Sequence, residues 1–383
     1  LKVSLTFITI IITIVFLEFL VRQQPIPLKA RFERQKVLFQ NLPLSEKASF
    51  EEDFEKINSD KRWSFNTWGF YGNSPIKTKS INFIPYKSVT ARICPDSVDG
   101  NSSRIWFFGG STMEDIDVSD QRSIANQTIN FLNEKSFNSY GLNFGTASHN
   151  SSVETTKFIG LLREVTNIEE IPAYVIFYDG FNEAVQPPLF GVSNLQIDLQ
   201  AKFTALVGQN YKDLGLYSLS KQASEYSELF KRYILPLTIP NSLKPNFKGD
   251  FSEENLFKSV SCYINNIKFI TAICKEFDIK PIFILQPLVT TKKPLGEIDR
   301  QSLTEQNPKL VKFVRDFYKI VRLKASIYPN FIDLSSVLDG NNRSDFRDFG
   351  HTGPYAQKDI AFAISDFILS MEDNDLSSDL QFW

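Results

Sequence analysis

The chain has 383 residues, with 42 Lys and Arg against 44 Asp and Glu, so its net charge is −2. This balance excludes a basic protein built to neutralise nucleic-acid phosphates, and we expect no nucleic-acid partner. Hydrophobic residues make up 42% and charged residues 22%, which is a globular composition and excludes a disordered chain. Three scattered cysteines exclude a disulfide scaffold, and any imidazole chemistry must use His149 or His351.

The N-terminal residues form an apolar run that predicts a membrane span. Residues 3–17 carry no charge, and the apolar pattern extends to position 21. A helix of about 19 residues crosses the ~30 Å hydrocarbon core of a bilayer. A buried helix and a cleaved signal peptide are the alternatives, but no small-residue cleavage site precedes the sequence RQQP at 22–25. We predict a transmembrane anchor over residues 1–21, with the membrane lipid bilayer as its partner.

Residues 22–100 lack the pattern of a compact domain. Residues 22–60 mix charges and prolines without a strand pattern, whereas residues 61–100 contain turn signals such as Gly72-Asn73. We therefore predict a stalk followed by a lead-in segment that packs on the main domain.

Residues 101–372 alternate between short apolar runs and helical patterns. The apolar runs cover residues 104–108, 142–144, 173–178, 281–285 and 330–334. The helical patterns cover residues 120–135, 152–165, 257–277, 308–323 and 355–369. Short apolar runs bounded by Gly, Pro or Asp are typical of buried parallel strands. The alternation predicts an α/β domain with a parallel sheet and right-handed crossovers.

Residues 184–250 interrupt this alternation. They contain five prolines and a helical pattern over 214–233, but no strand that fits the rhythm of the rest. We predict an insertion beside the edge of the sheet that carries the active site, where it would act as a lid or a substrate-binding cap.

A serine follows two glycines at the end of the first predicted strand. Ligand sites of open parallel sheets lie beyond the carboxyl ends of the strands, which is where Gly109, Gly110 and Ser111 stand. The glycines permit a tight turn that leaves the Ser111 hydroxyl exposed at the start of a helix. An ordinary N-cap serine is the alternative. Ser111 is our candidate nucleophile.

Asp348 and His351 follow the last predicted strand. A serine nucleophile needs a base, and the base needs an acceptor that orients it. An Asp and a His three positions apart on one loop can form such a pair, although a surface His near a helix start has the same local pattern. Since Ser111 lies at a matching strand end, we predict that Ser111, His351 and Asp348 meet as a catalytic triad.

Two further strand ends carry candidate donors for a negatively charged oxygen. Acyl transfer places negative charge on a carbonyl oxygen, which fixed hydrogen-bond donors must stabilise. Gly145 follows the second predicted strand and Asn182 follows the third. Both residues are also common in plain turns. We predict an oxyanion hole made by the backbone N–H groups of Ser111 and Gly145 and by the side-chain amide of Asn182.

In chain order, these segments resemble the motif blocks of the SGNH (GDSL-like) hydrolase family. The family's Gly-Asp-Ser block, with its nucleophile, is similar to the segment ending in Ser111. Gly145 matches the glycine of the second block, and Gly-Phe-Asn-Glu at 180–183 is similar to the third block, Gly-x-Asn-Asp. Residues 348–351 match the last block, Asp-x-x-His. The resemblance covers residues 104–370.

The chain departs from the family pattern at two positions. Gly110 stands where the family has Asp, and Glu183 stands where it has a second Asp. Neither position belongs to the triad, so the departures concern the packing of the first loop. His149 matches no triad position, and we expect it to line the pocket or to cap a helix.

The resemblance implies a three-layer α/β/α, flavodoxin-like fold and acyl-ester chemistry without a metal or a cofactor. Its implied substrates are acylated carbohydrates or other esters, with an acyl-enzyme formed on Ser111. Because membrane-anchored relatives act on envelope or extracellular polysaccharides, it also implies a single-pass membrane protein with its domain outside the cytoplasm. The five basic residues at positions 22–36, against Lys2 alone before the span, favour the opposite orientation.

Two other functions remain open at this stage. An O-acyltransferase for an envelope or extracellular polysaccharide would use the same triad with a sugar hydroxyl as acceptor. A non-catalytic carbohydrate-binding assembly subunit could share the fold, because a fold does not fix a function. The presence of Ser111, Asp348, His351 and Asn182 favours an enzyme, while the sequence leaves the acyl group and the oligomeric state open.

Overall fold

The structure, a computed structural model, describes residues 71–100, 102–190 and 249–379 and a few others. These others are residues 34, 37–40, 42–43, 53, 57, 63–65, 226–227 and 233. The predicted anchor at 1–21 and most of the predicted insertion lie outside the described residues. Within the described ranges, every helix is too short or too polar to cross a bilayer.

The chain divides into two compact units. One comprises Leu1–Ala30 with Asp198–Asn246, and the other comprises Arg31–Ile197 with Phe247–Trp383. All the elements named below belong to the second unit.

The described residues form ten strands and eight α-helices. The strands are β1 (Trp63–Phe65), β2 (Tyr71–Asn73), β3 (Ile76–Lys77), β4 (Asn82–Tyr86), β5 (Val89–Ile93), β6 (Ser103–Gly109), β7 (Ser139–Asn143), β8 (Tyr174–Asp179), β9 (Lys280–Leu285) and β10 (Phe331–Asp333). The helices are α1 (Ser111–Glu114), α2 (Ile124–Glu134), α3 (Ser151–Glu164), α4 (Phe181–Phe190), α5 (Glu253–Glu276), α6 (Glu297–Thr304), α7 (Pro308–Ala325) and α8 (Pro354–Asp379).

Eight of these strands form one mixed sheet in the order β10-β9-β8-β6-β7-β5-β4-β3. The strands β6 to β10 are parallel to one another. Their spatial order corresponds to 2-1-3-4-5, the order of one common class of doubly wound α/β folds. The prediction of an α/β domain is confirmed, and each of the five predicted strands is present.

The predicted parallel sheet is confirmed for β6 to β10, and the lead-in segment adds three antiparallel strands that the sequence did not predict. β5 pairs with β7 through Arg92 opposite Asn143 and Ile93 opposite Leu142. β4 pairs with β5, and β3 pairs with β4, all antiparallel. The sheet therefore begins before residue 101, within the segment that the sequence indicated only as packing on the domain.

The connections of the parallel strands change direction at β6. The chain passes from β6 to β7 on one side and then returns past β6 to β8, β9 and β10. Right-handed crossovers therefore place α2 on one face of the sheet and α3, α5 and α7 on the other. The contacts agree, because α2 packs on α8, whereas α5 packs on α3 and α7.

Stacked phenylalanines hold the parallel strands together. Phe108 of β6 stacks on Phe144 and on Phe177 of β8, at 5.4 and 5.1 Å between ring centroids. Phe177 in turn stacks on Phe283 of β9 at 5.8 Å. Burying each ring contributes roughly 1.5–3 kcal/mol, so this row fixes the strands whose carboxyl ends carry the candidate site.

Candidate active site

Two glycines allow the chain to turn sharply from β6 into α1. A Cβ on Gly109 would lie 2.6 Å from the Cβ of Met113. A Cβ on Gly110 would lie 2.2 Å from Asn182 Nδ2, so the amide of Asn182 occupies the space that any side chain would need. The lack of a side chain at Gly110 therefore leaves room for the amide of Asn182 beside the residue that precedes Ser111.

The structure brings Ser111, His351 and Asp348 together at one edge of the sheet. The Ser111 hydroxyl lies 2.8 Å from His351 Nε2. On the other side of the ring, His351 Nδ1 lies 2.8 Å from Asp348 Oδ1 and 3.0 Å from Oδ2. Since a carboxylate only accepts hydrogen bonds, it favours a proton on Nδ1 and leaves Nε2 free to accept the proton of the serine hydroxyl.

The backbone of the Asp348 loop fixes the carboxylate. Asp348 Oδ1 accepts hydrogen bonds from the N–H groups of His351, at 2.9 Å, and of Gly350, at 3.2 Å. The imidazole is packed edge-on against the ring of Phe181, with 6.1 Å between centroids. The His351 side chain is 13% exposed, so part of the ring is accessible to solvent.

The side-chain amide of Asn182 lies beside the serine turn at the start of α4. Its Nδ2 donates one hydrogen to the carbonyl oxygen of His149. The second hydrogen of the same amide stays available to an oxygen next to Ser111. This position fits the predicted role of Asn182 as a donor to an oxyanion.

Gly145 does not offer its N–H to the site, contrary to the prediction. Its N–H donates to Asn143 Oδ1 at 2.8 Å. A Cβ on Gly145 would lie 2.4 Å from the backbone nitrogen of Glu114 and 2.7 Å from the carbonyl carbon of Met113. Glycine is therefore required because the loop after β7 runs against the backbone of α1.

A turn that follows Gly145 contacts the amide of Asn182 through the carbonyl oxygen of His149. The N–H of His149 donates to the carbonyl of Thr146 at 3.1 Å, and Ser148 within this turn has a φ of 63°. The backbone N–H groups of Ser111 and Ser148 donate no hydrogen bond to any of the described residues. The sequence pattern did not indicate Ser148, because serine gives no signal for a left-handed conformation.

His149 is fully buried and lies outside the triad. Its Nε2 lies 3.1 Å from the carbonyl oxygen of Tyr71. Burial, with a smaller contribution from the charge of Lys157, holds the pKa of His149 well below its ordinary value, so the ring is neutral. The cap of α3 is the neighbouring Asn150, whose side chain accepts from the N–H of Val153. The ring of His149 therefore neither caps that helix nor joins the triad.

A group of buried carboxyls lies beneath the loops. Glu183 accepts hydrogen bonds from the N–H groups of Gly180, at 2.7 Å, and Ser151, at 2.6 Å, and so joins the turn after β8 to α3. Burial raises the pKa of both Glu154 and Asp179, and each carboxyl lies near the other, which also favours a shared proton.

Arg92 of β5 holds the loop that follows α1. Its guanidinium donates to the carbonyls of Glu114, Asp115 and Val118 at 2.8, 2.6 and 2.7 Å. It also pairs with Asp120 at 2.8 Å, and the side chains of Arg92 and Asp120 are 0% and 2% exposed. The lead-in strands thus position the segment next to Ser111, which the sequence pattern did not predict.

Side chains from two other strand ends also hold α1. Asn143, the last residue of β7, donates from Nδ2 to the carbonyl of Met113 at 2.7 Å. Thr112 donates from its hydroxyl to Oε1 of Gln286, directly after β9, at 2.9 Å. These contacts fix the helix that begins with Ser111 to the ends of β7 and β9.

A buried lysine anchors the start of the loop that leads to Asp348. Lys292 Nζ lies 2.9 Å from Asp299 Oδ2 and 2.6 Å from Asp345 Oδ2. Asp299 Oδ1 accepts the N–H groups of Asp345 and Phe346 at 2.9 and 2.8 Å. All three charged side chains are at most 1% exposed, so the loop is tied down by a fully buried network.

Comparisons with known proteins give a distant structural likeness. No protein-family model matches the chain. No curated protein matches it either. An acetylxylan esterase from Geobacillus stearothermophilus is 12% identical, with a TM-score of 0.38 over 70% of this chain and 95% of that one. A member of the lipolytic G-D-S-L family from Veillonella parvula is 10% identical, with a TM-score of 0.38 over 68% and 95%. Likenesses this distant assign neither family nor function, so the geometry of the site must carry any proposal about the reaction.

Proposed function

We propose that this protein is a serine esterase of the SGNH type, which removes acyl groups through a Ser111–His351–Asp348 triad. The observation that carries the proposal is the continuous chain of short contacts, with Ser111 Oγ 2.8 Å from His351 Nε2 and Asp348 Oδ1 2.8 Å from Nδ1. An N-cap serine and a surface histidine meeting by chance would not place the carboxylate on the far side of the ring.

The reaction follows from these positions. His351 Nε2 takes the proton of the Ser111 hydroxyl while Oγ attacks the carbonyl carbon of the ester. Asp348 stabilises the imidazolium that forms and keeps the ring oriented. His351 then gives the proton to the departing alcohol, which leaves the acyl group on Ser111.

The negative charge of the tetrahedral intermediate needs fixed donors. We assign this role to the backbone N–H of Ser111, the second hydrogen of Asn182 Nδ2 and the backbone N–H of Ser148. Ser148 takes the place predicted for Gly145, whose N–H is occupied by Asn143. Loss of one such donor typically lowers kcat by about 10²–10³-fold.

The second half of the reaction decides between hydrolysis and transfer. Water activated by His351 releases the acid, whereas a sugar hydroxyl in the same position yields a new ester. The motif resemblance supports acylated carbohydrate, with acetyl as a typical acyl group, as the substrate class. We further propose that residues 1–21 anchor the chain in a bacterial membrane with the catalytic unit outside the cytoplasm, which protease treatment of intact cells would test.

The test of the proposed function is ester hydrolysis by the full chain in a mild detergent. Wild type should hydrolyse p-nitrophenyl acetate, and Ser111→Ala should lower kcat by at least about 10³-fold. The exposed Ser326→Ala is the matched control and should keep wild-type activity. Equal activity in Ser111→Ala and wild type would refute Ser111 as nucleophile. A folded wild type inert to acetyl and butyryl esters would refute a simple esterase.

A further inference from the structure

A buried ion pair joins the two loops that carry the proposed nucleophile and its base. Arg347 Nη1 pairs with Asp117 Oδ1, and these side chains are only 2% and 6% exposed. Asp117 follows α1, three residues after its end, while Arg347 directly precedes Asp348. The pair therefore connects the Ser111 segment with the Asp348 segment beneath the site.

The same guanidinium also faces the carboxylate of the triad. Arg347 Nε lies 3.5 Å from Asp348 Oδ2. The backbone on either side of the guanidinium is fixed, because the N–H of Arg347 donates to the carbonyl of His351 and the carbonyl of Arg347 accepts from Ser302. The Asp348 carboxylate therefore lies between the imidazole of His351 and the guanidinium of Arg347, whose backbone is held in place.

We propose that Arg347 is a positioning residue, which together with Asp117 sets the pH range in which His351 can act as a base. This inference rests on the proposed esterase function and names the groups that tune it. The positive charge of Arg347 stabilises the Asp348 carboxylate and opposes a second positive charge on the ring. Asp117 offsets part of that effect, so the balance of the two charges decides how readily His351 becomes protonated.

The charged neighbours described around this pair lie on three segments. Within the described residues, the loop itself contributes Asp348, and the segment after α1 contributes Asp115 besides Asp117. Of the other elements packed nearby, β5 presents the charged Arg92, which acts on Asp115, whereas α4 and α8 present the uncharged Phe181 and Gln357. A change at Arg347 or Asp117 therefore alters the local charge balance, while Arg92 is the same in every variant.

Opposite charge changes should move the titration of His351 in opposite directions. Arg347→Gln leaves two negative charges near the ring, so the protonated ring is stabilised and the midpoint should rise by about one pH unit. Asp117→Asn leaves the Arg347 charge unbalanced, so the midpoint should fall by a similar amount. The double variant restores the balance and should titrate near wild type, and it leaves no buried charge of this pair without its partner.

The experiment is a ¹³C NMR titration of ring-labelled histidine in the full chain. The chain has two histidines, and burial holds the pKa of His149 well below its ordinary value, so the ring of His149 stays neutral during the titration. A His351→Gln spectrum assigns the signal of His351. Arg343→Gln is the matched control, because Arg343 lies on the same loop but pairs with Asp345 and Asp359.

The titration and the activity profile separate the two proposals. Opposite shifts of the midpoint, with the acid limb of kcat/KM moving in parallel, support the role of Arg347. Unchanged midpoints, or shifts in the same direction for both single variants, would overturn it even if hydrolysis depends on Ser111. If Arg347→Gln does not fold, a lowered midpoint in Asp117→Asn that returns to the wild-type value in the double variant supports the role, and an unchanged midpoint in Asp117→Asn overturns it. Opposite NMR shifts in a protein without Ser111-dependent hydrolysis would uphold the charge balance and refute the esterase.

Discussion

At the scale of single residues, the site depends on Gly110, whose lack of a side chain lets the serine loop and the Asn182 loop come into contact. Gly110 leaves room for the amide of Asn182, which lies 2.2 Å from where a Cβ would stand. The sequence indicated Gly110 only as a departure from a family pattern. In the structure, the absent side chain is what brings a hydrogen-bond donor to the nucleophile.

We predict that Gly110→Ala lowers kcat for p-nitrophenyl acetate by about 10²–10³-fold, with a small change in KM. The added methyl displaces the amide of Asn182, which is the loss of one oxyanion donor. Since both changes act through the same amide, Gly110→Ala combined with Asn182→Ala should lose little more than either single variant. Steady-state kinetics of the three variants would reject this account if the two losses multiplied.

The side chains of the candidate site were predictable from the sequence, but which backbone N–H groups are available at the site was not. Parallel strands present their carboxyl ends at one edge of the sheet. Because Ser111, Asn182 and His351 each follow a strand end, the sequence predicted that they would meet. The occupied N–H of Gly145 and the left-handed turn at Ser148 depend on loop conformation, which no pattern of side chains encodes.

At the scale of secondary-structure elements, the lead-in strands support the serine loop. β5 delivers Arg92 to three carbonyls and to Asp120 directly after α1. The strands β3 to β5 contain two to five residues each and carry many polar side chains, so they lack the apolar runs that predicted β6 to β10. Their place in the sheet becomes evident only from the pairing of β5 with β7.

We predict that Arg92→Met lowers the free energy of unfolding by about 3–5 kcal/mol, because it leaves the buried Asp120 without its charged partner, with only Asn82 still donating to the carboxylate. Urea unfolding followed by tryptophan fluorescence measures the change. Lys258→Met is the matched control, since its exposed pair with Glu254 on α5 contributes little, and it should unfold like wild type. A loss at Arg92 no larger than that of the control would contradict the proposed support of the loop.

At the scale of the whole molecule, buried carboxyls couple stability to pH. Burial raises the pKa of Asp115 to about 8, with Arg92 opposing the shift. Burial likewise raises the pKa of Glu154 and Asp179 well above the ordinary range. Unfolded Asp and Glu release their protons near pH ~4, so above that pH the folded chain binds more protons than the unfolded chain. The free energy of unfolding therefore falls as the pH rises from about 4 towards 8.

We predict that the free energy of unfolding of Asp115→Asn decreases less steeply with rising pH than that of wild type. The variant cannot ionise at this position, so its stability relative to wild type should rise by up to about 1.4 kcal/mol per pH unit between about pH 5 and pH 8. Urea unfolding of both proteins at several pH values in this range provides the measurement. Parallel stability curves would mean that Asp115 is already ionised in the folded chain.

The central claim is that His351 and Asp348 make Ser111 a nucleophile. The most direct measurement is mass spectrometry of the intact protein and of its proteolytic peptides after treatment with a fluorophosphonate, whose phosphorus a nucleophilic serine attacks with loss of fluoride. We predict a single adduct on the peptide that contains Ser111, absent in Ser111→Ala and formed at least about 10²-fold more slowly in His351→Gln. A folded protein that forms no adduct, or forms it on a different serine, would contradict the account.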